Sequence, residues 1–326
     1  MTSQTFPLSL SRLAAVVALA LGAAAAAVPA HAQEGRATRA SRAAAQASGP
    51  AASDASATVL TAHPVVHALT ESLAKGTRIR VERAAPANLP PTRLASYFGG
   101  RGGPALAKAA GTADAVVGLR SLWADDPLFP VARRSNIRIV EIDAARPLDG
   151  ALNGIALQGG NPGAQFAAHP WLSVVNLGRM ADIVAADLGR LSPSDDKAIE
   201  TNLAAIKRRL VTLNARSQKG LAAASNVSVV SLSERLPYLV SEFNLDLIDT
   251  LAHDDKEWTP EALAQLTATL KDNGAAAALL HREPTPALRE AIEAGGAKAI
   301  VLATDGTDPV AELEGNADLL IKTLAP

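Results

Sequence analysis

Side chains able to bind a metal or move a proton are sparse in this chain, which carries six histidines and no cysteine. One of them, His169, stands in the run Ala168-His169-Pro170-Trp171-Leu172-Ser173-Val174-Val175-Asn176, between two halves that each alternate strand-like and helix-like segments. Other chemistry-bearing residues follow short apolar runs: His63, Arg120 with Trp123, Ser233 with Glu234, His281 with Glu283, and Asp305. Ligands of open α/β sheets bind outside the carboxyl ends of the strands, so these positions are candidates to line a cleft. Their imidazoles and carboxylates are donors to a divalent transition metal, which requires three or four of them converging at about 2.0–2.2 Å. Structural alternatives stand beside each. His63 precedes Pro64 and could cap a strand-to-helix turn, His67 falls within a helix, His253 beside Asp254 and Asp255 reads as a solvated loop residue, and Glu283 suits a structural or supporting role.

Catalysis is not expected. The sequence has no Gly-x-Ser-x-Gly, no cysteine nucleophile and no His-Glu-x-x-His. Arg120, Trp123, Asp125 and Asp126 could form a polar site, but Asp125-Asp126-Pro127 also reads as a helix start. Tyr97-Phe98-Gly99-Gly100-Arg101-Gly102-Gly103 reads first as a flexible turn before a helix at Pro104. Glycine amides with Arg101 could also cradle an anion there, although the spacing is neither a P-loop nor a dinucleotide fingerprint.

The elements that must position these residues alternate along the chain. Apolar or alternating runs predict strands near 58–62, 78–82, 115–119, 137–142, 227–232, 245–250, 275–280 and 299–303. Helices are expected between them, and Thr259-Pro260 and Thr285-Pro286 announce two by an N-cap with proline in the first turn. Leu177, Met180, Val184, Leu188 and Leu191 mark one face of a central helix. Ser192, expected as the next N-cap, precedes a longer helix carrying Ile199, Leu203, Ile206, Leu210 and Leu213. The expected fold is α/β: two lobes, each a four-stranded parallel sheet flanked by helices, joined by one long connecting helix. Residues 58–175 would form the N-terminal lobe, 176–225 the connecting helices and 226–326 the C-terminal lobe.

The N-terminus reads as an export signal. Arg12 precedes an apolar run from Leu13 to Pro29, and Ala30-His31-Ala32 offers a cleavage site after Ala32. Residues 33–57, rich in Ala and Ser, cannot bury enough apolar surface to offset ordering and read as a disordered tether. No cysteine follows the cleavage site, so a soluble periplasmic protein is expected rather than a lipoprotein. The net charge of −1 becomes one unit more negative when Arg12 is removed, which argues against nucleic acid as a partner. A chain of this length can build more than one core without disulfides, since single cores stop growing near ~250–300 residues.

Over residues 58–326 the chain resembles the zinc- and manganese-specific substrate-binding proteins of bacterial ABC transporters. The resemblance rests on the His169-to-Asn176 run, similar to that family's His-x-Trp-Leu-Asp-Pro followed by Asn, and on Asp305 with Asn316-Ala317-Asp318-Leu319. It implies a periplasmic monomer that captures Zn or Mn, bare or as a small complex, in an interlobe cleft and presents it to a membrane permease. It also implies four metal ligands, of which His169 and Asp305 are in place. Where the family has Asp-Pro-His this chain has Asn88-Leu89-Pro90-Pro91-Thr92-Arg93, and the His-or-Glu position falls on Ser233. Glu234, His63 and His281 are the expected substitutes. The alternative is a degenerate accessory or interaction protein of the same fold that binds no metal.

Overall fold

The computed structural model describes residues 55–159 and 166–325. The expected export segment and nearly all of the expected tether lie outside the described residues. Strands β1 (Ala57–Thr61), β2 (Ile79–Arg83), β3 (Ala115–Gly118) and β4 (Val140–Asp143) form a parallel sheet in the order β2-β1-β3-β4. Strands β5 (Ser228–Ser231), β6 (Asp246–Thr250), β7 (Ala277–Leu280) and β8 (Lys298–Val301) repeat that order as β6-β5-β7-β8. The two-lobed, all-parallel architecture expected from the sequence is therefore the observed one.

Parallel strands covered on both faces must be apolar on both, and the central strands show why this sequence chooses them. Successive side chains point to opposite faces. Val59, Val117, Val229 and Leu279 enter a core shared by both lobes, whereas Leu60 and Val116 enter a second core and Val230 and Leu280 a third. The shared core is filled by four helices: α1 (Pro64–Ala74), α5 (Val174–Leu191), α6 (Asp196–Leu221) and α10 (Pro309–Leu324). The outer faces are covered by α2 (Leu94–Gly99), α3 (Gly103–Ala110) and α4 (Leu128–Ser135) on one side, and by α8 (Pro260–Asp272) and α9 (Pro286–Ala294) on the other. A short helix, α7 (Pro237–Glu242), follows β5.

The connecting helix α6 has 26 residues, about 39 Å at 1.5 Å per residue. It packs against α5 and α1 of the first half and α10 of the second. Arg209, on its exposed face, holds Glu314 of α10 through two bonds of 3.1 and 2.8 Å.

Three local expectations change. Tyr97–Gly99 is helical, because Leu94 and Phe98, one turn apart, bury their side chains in the second core. The glycine loop is thus confined to Gly100–Gly102, and the glycine amides are already used: Gly100 and Gly102 donate to Tyr97 O and Gly103 to Gly100 O. These glycine amides are therefore not free to surround an anion. Ser192 does not cap α6 as expected. The Asp195 carboxylate draws the Ser192 and Ser56 hydroxyls as donors, at 2.6 and 2.7 Å, and a 3-10 turn at Pro193–Asp195 opens the helix instead.

Candidate functional site

In both sheets the first and third strands lie side by side, and the chain leaves them in opposite directions. That reversal opens a crevice at the carboxyl ends, where backbone groups are unpaired and loops diverge. His63 and Pro64 follow β1, Leu232 to Arg235 follow β5, His281 and Arg282 follow β7, and Thr304 and Asp305 follow β8. All of them line one cleft of about 870 Å³. His169 and Trp171 form part of its wall, and the Ala87–Thr92 loop after β2 borders it. The five residues singled out as donors, His63, His169, Glu234, His281 and Asp305, are thus brought to one cavity. They do not converge within it. Among the described residues, no three of His, Asp and Glu come close enough together to hold a metal ion.

His169 is held by backbone geometry that few side chains tolerate. Its φ is +50°, the left-handed region that costs a non-glycine residue of order 1 kcal/mol. Pro170–Leu172 forms a 3-10 turn directly after it, and the His169 N–H donates to Phe166 O at 3.1 Å. The imidazole stacks on Trp171 with centroids 4.5 Å apart. Asn176, buried in the first turn of α5, secures this arrangement: its amide donates to Pro170 O at 3.1 Å and pairs both ways with the Ala156 backbone. Asn316 of α10 does the same for the opposite wall. Its side chain pairs both ways with the Ala303 backbone at 2.8 Å, just ahead of Asp305. Glu312 then accepts from the Gly306 and Thr307 N–H groups, and Gly306, at φ +72°, packs where a Cβ would meet Val65 at 2.9 Å. The two asparagines that the family resemblance picked out therefore act as clamps for the loops bearing His169 and Asp305.

Three imidazoles of the cleft, those of His63, His169 and His281, are held in the neutral form. Burial, and then the charge of Arg83, push His63 down to about 3. Burial and then the charge of Arg235 put His169 at about 3, while a hydrogen bond to the Thr304 backbone pulls the other way. Burial followed by Arg235 and Arg282 brings His281 to about 4. In each of these three rings Nδ1 is buried without a hydrogen-bond partner. A neutral imidazole with a free nitrogen is the form that ligates a metal.

Positions where the family resemblance predicts donors are otherwise engaged. Ser233 is buried, its carbonyl accepts from the Ser231 hydroxyl and its own hydroxyl accepts from the Arg235 N–H. Pro91 borders the cleft and opens a 3-10 turn. Other expectations resolve as follows. His67 lies on α1, bonded to the Thr61 hydroxyl at 2.8 Å and 3.4 Å from Glu71, and does not line the cleft. Arg120 pairs with Glu141 at 2.6 Å, and buried Asp126 accepts from the Leu119 and Leu128 N–H groups, so that polar cluster serves the fold. Glu283 pairs with Arg289. His253, read as a solvated loop residue, lies at the cleft with Asp254 and Glu257 and packs edge-on against Trp258. Arg235 was missed altogether. Its only signal was its place, two residues past a position where a donor was expected.

A family model described as zinc-uptake complex component A, periplasmic, matches residues 59–324. No curated protein matches the chain. Among solved structures, the chain is similar to Zn(II)-bound AdcA from Streptococcus pneumoniae, with 20% identity, a TM-score of 0.64, and coverage of 83% of this chain. It spans only 58% of that protein. It is also similar to ZnuA, with 21% identity and a TM-score of 0.62 over 82% of this chain and 98% of the other. A third similar structure is FpvC from Pseudomonas aeruginosa in complex with Mn2+, with 21% identity and a TM-score of 0.60 over 82% and 98% of the two chains. At these identities the structural likeness speaks for the fold.

Proposed function

The chain belongs to the ZnuA family of periplasmic zinc-uptake complex components, and from that membership we propose that it captures a divalent transition metal in its interlobe cleft and presents it to an ABC permease. The observation that carries this reading is the common destination of five donors. His63, His169, Glu234, His281 and Asp305 come from strand ends of both sheets and from the central turn, and all line one cavity. His169, His281 and Asp305 are the proposed core of the site, with buried His63 and exposed Glu234 lining the same cavity. The solved relatives were captured with Zn(II), Ni2+ and Mn2+, so Zn and Mn are the first ions to test. Binding would draw donors of the two lobes together, so part of the ligation free energy goes into fixing the lobes.

The protein acts by binding rather than catalysis in this reading. The family is periplasmic, and among the described residues no helix is long and apolar enough to cross a membrane. Cleavage after Ala32 and a monomeric state complete the proposal. The competing reading, an accessory protein that binds no metal, draws on the lack of three converging donors among the described residues.

One experiment separates the two. Protein purified without a polyhistidine tag is assayed for metal content, and its melting temperature is followed as Zn2+ or Mn2+ is added. Retained metal, or a shift of several degrees at micromolar ion, supports capture. Absence of both would leave the accessory reading.

A further inference from the structure

Two arginines line the cleft, Arg235 and Arg282; Arg282 pairs with Asp255 at 2.9 Å, which leaves Arg235 as the cation whose chemistry opposes a bare metal ion. It follows β5 by four positions, is half-buried, and lines the same cavity as His169, His281 and Asp305. Its guanidinium donates to the Thr304 hydroxyl at 3.1 Å. Among the described residues no carboxylate lies within ion-pair distance of it, although Asp305 and Arg282 are near enough to act on its charge. The same charge acts on both His169 and His281. A guanidinium keeps its proton throughout the accessible pH range, so this charge is permanent.

The size of the cleft adds a second observation. About 870 Å³ is in the range of small-molecule sites, ~300–1,000 Å³, whereas one water occupies about 30 Å³. A third is the donor set. His63, nine-tenths buried or more, and His169 and His281 each keep an unbonded Nδ1, yet these rings and the neighbouring carboxylates do not form a three-donor cluster. Carboxylates line the cleft as well, but a metal entering alone at His169 and His281 would meet the fixed charge of Arg235 and, among the described residues, no cluster of three donors to replace its water.

We infer that the cleft takes its metal as a complex with a small polycarboxylate anion, the metal meeting His169 and His281 while Arg235 pairs with a carboxylate of the chelator. This rests on the capture reading above and specifies its cargo. The chelator supplies the oxygen donors that the positions of Pro91 and Ser233 do not, and it supplies the negative charge that makes Arg235 an attraction. A planar guanidinium suits a carboxylate by two parallel N–H···O bonds.

The test uses the mature, tag-free protein in equilibrium dialysis with radiolabelled zinc and radiolabelled citrate, together and separately. The inference expects zinc and citrate to be retained together in equal amounts, and zinc alone to be held roughly tenfold or more weakly. Arg235→Gln should lower retention of the complex by roughly tenfold. The same substitution should raise retention of zinc alone, measured on variant protein whose melting temperature and circular dichroism match those of wild type, since an unfolded chain also binds zinc through exposed histidines. Zinc alone retained as tightly as zinc with citrate, or equal behaviour of wild type and Arg235→Gln toward both forms, would overturn the inference and leave metal capture standing. Retention of neither zinc nor the complex would overturn the capture reading as well.

Discussion

At the scale of single residues, His169 carries both a strained backbone and a neutral ring. His169→Gly removes the imidazole and relieves the left-handed backbone together. The lost stacking on Trp171, about 0.5–1.5 kcal/mol, and the relieved strain, of order 1 kcal/mol, should nearly cancel. The variant is expected to unfold within about 1 kcal/mol of wild type in urea, yet to retain no metal. His67→Ala, by contrast, should leave metal retention intact, and equal loss in both variants would place the site elsewhere. The buried rings also set an acid limit. The folded-state values of His63 and His169 are about 3 and that of His281 about 4, all below the 6.5 of an unfolded chain. The unfolded state therefore binds more protons as pH falls, so stability is fully present above 6.5 and declines from there toward about 3. Urea midpoints measured from pH 6.5 down to about 4 should fall steadily, and His63→Phe should flatten part of that slope. His169 and Asp305 were legible in the sequence as residues of one cleft, and both line it. Arg235 was not, because a charged residue past a strand end has no pattern of its own until the opposite wall of the cleft is in place.

At the scale of elements, the two clamps do equivalent work from the first turn of α5 and the middle of α10. Asn176 and Asn316 are almost fully buried, at 1% and 3% exposure, and each satisfies both backbone groups of a loop residue. Asn176→Ala or Asn316→Ala should each cost about 1–3 kcal/mol of stability and also weaken ligand retention, although neither asparagine lines the cleft. Loss of stability with ligand affinity untouched would show that the loops hold their places without the clamps. Most elements were readable beforehand, since periodicity suffices where a face is long. Helix α2 was not, and α7 was expected only as a helix between two strands, without bounds. Six residues make fewer than two turns, and Tyr238, Leu239 and Val240 are buried as a contiguous run rather than as a face. The 3-10 start of α6 was hidden for another reason: a serine before a proline has the spelling of a cap, and only the distant Ser56 and Asp195 reveal where its proton goes.

At the scale of the whole molecule, one core passes through both lobes, so the lobes cannot unfold independently without exposing the shared apolar face. Scanning calorimetry should give a single transition, and two resolved transitions would show that the shared core is not cooperative. The repeated strand order was legible as two alternating halves, whereas the fusion of their inner faces was not, since a sequence shows which residues are apolar but not which elements they share. The lobes are also joined near the cleft. Ser173, which caps α5 just after the His169 turn, donates its hydroxyl proton to Glu242 of α7 at 2.5 Å, and Gln158 donates its N–H to the Tyr238 hydroxyl at 2.9 Å. A shift of the second lobe therefore pulls on the turn that stacks His169 over Trp171. The indole is 2% exposed and stacks on that imidazole, so metal capture at His169 is expected to change tryptophan emission, a built-in optical gauge that would also register movement of the lobes.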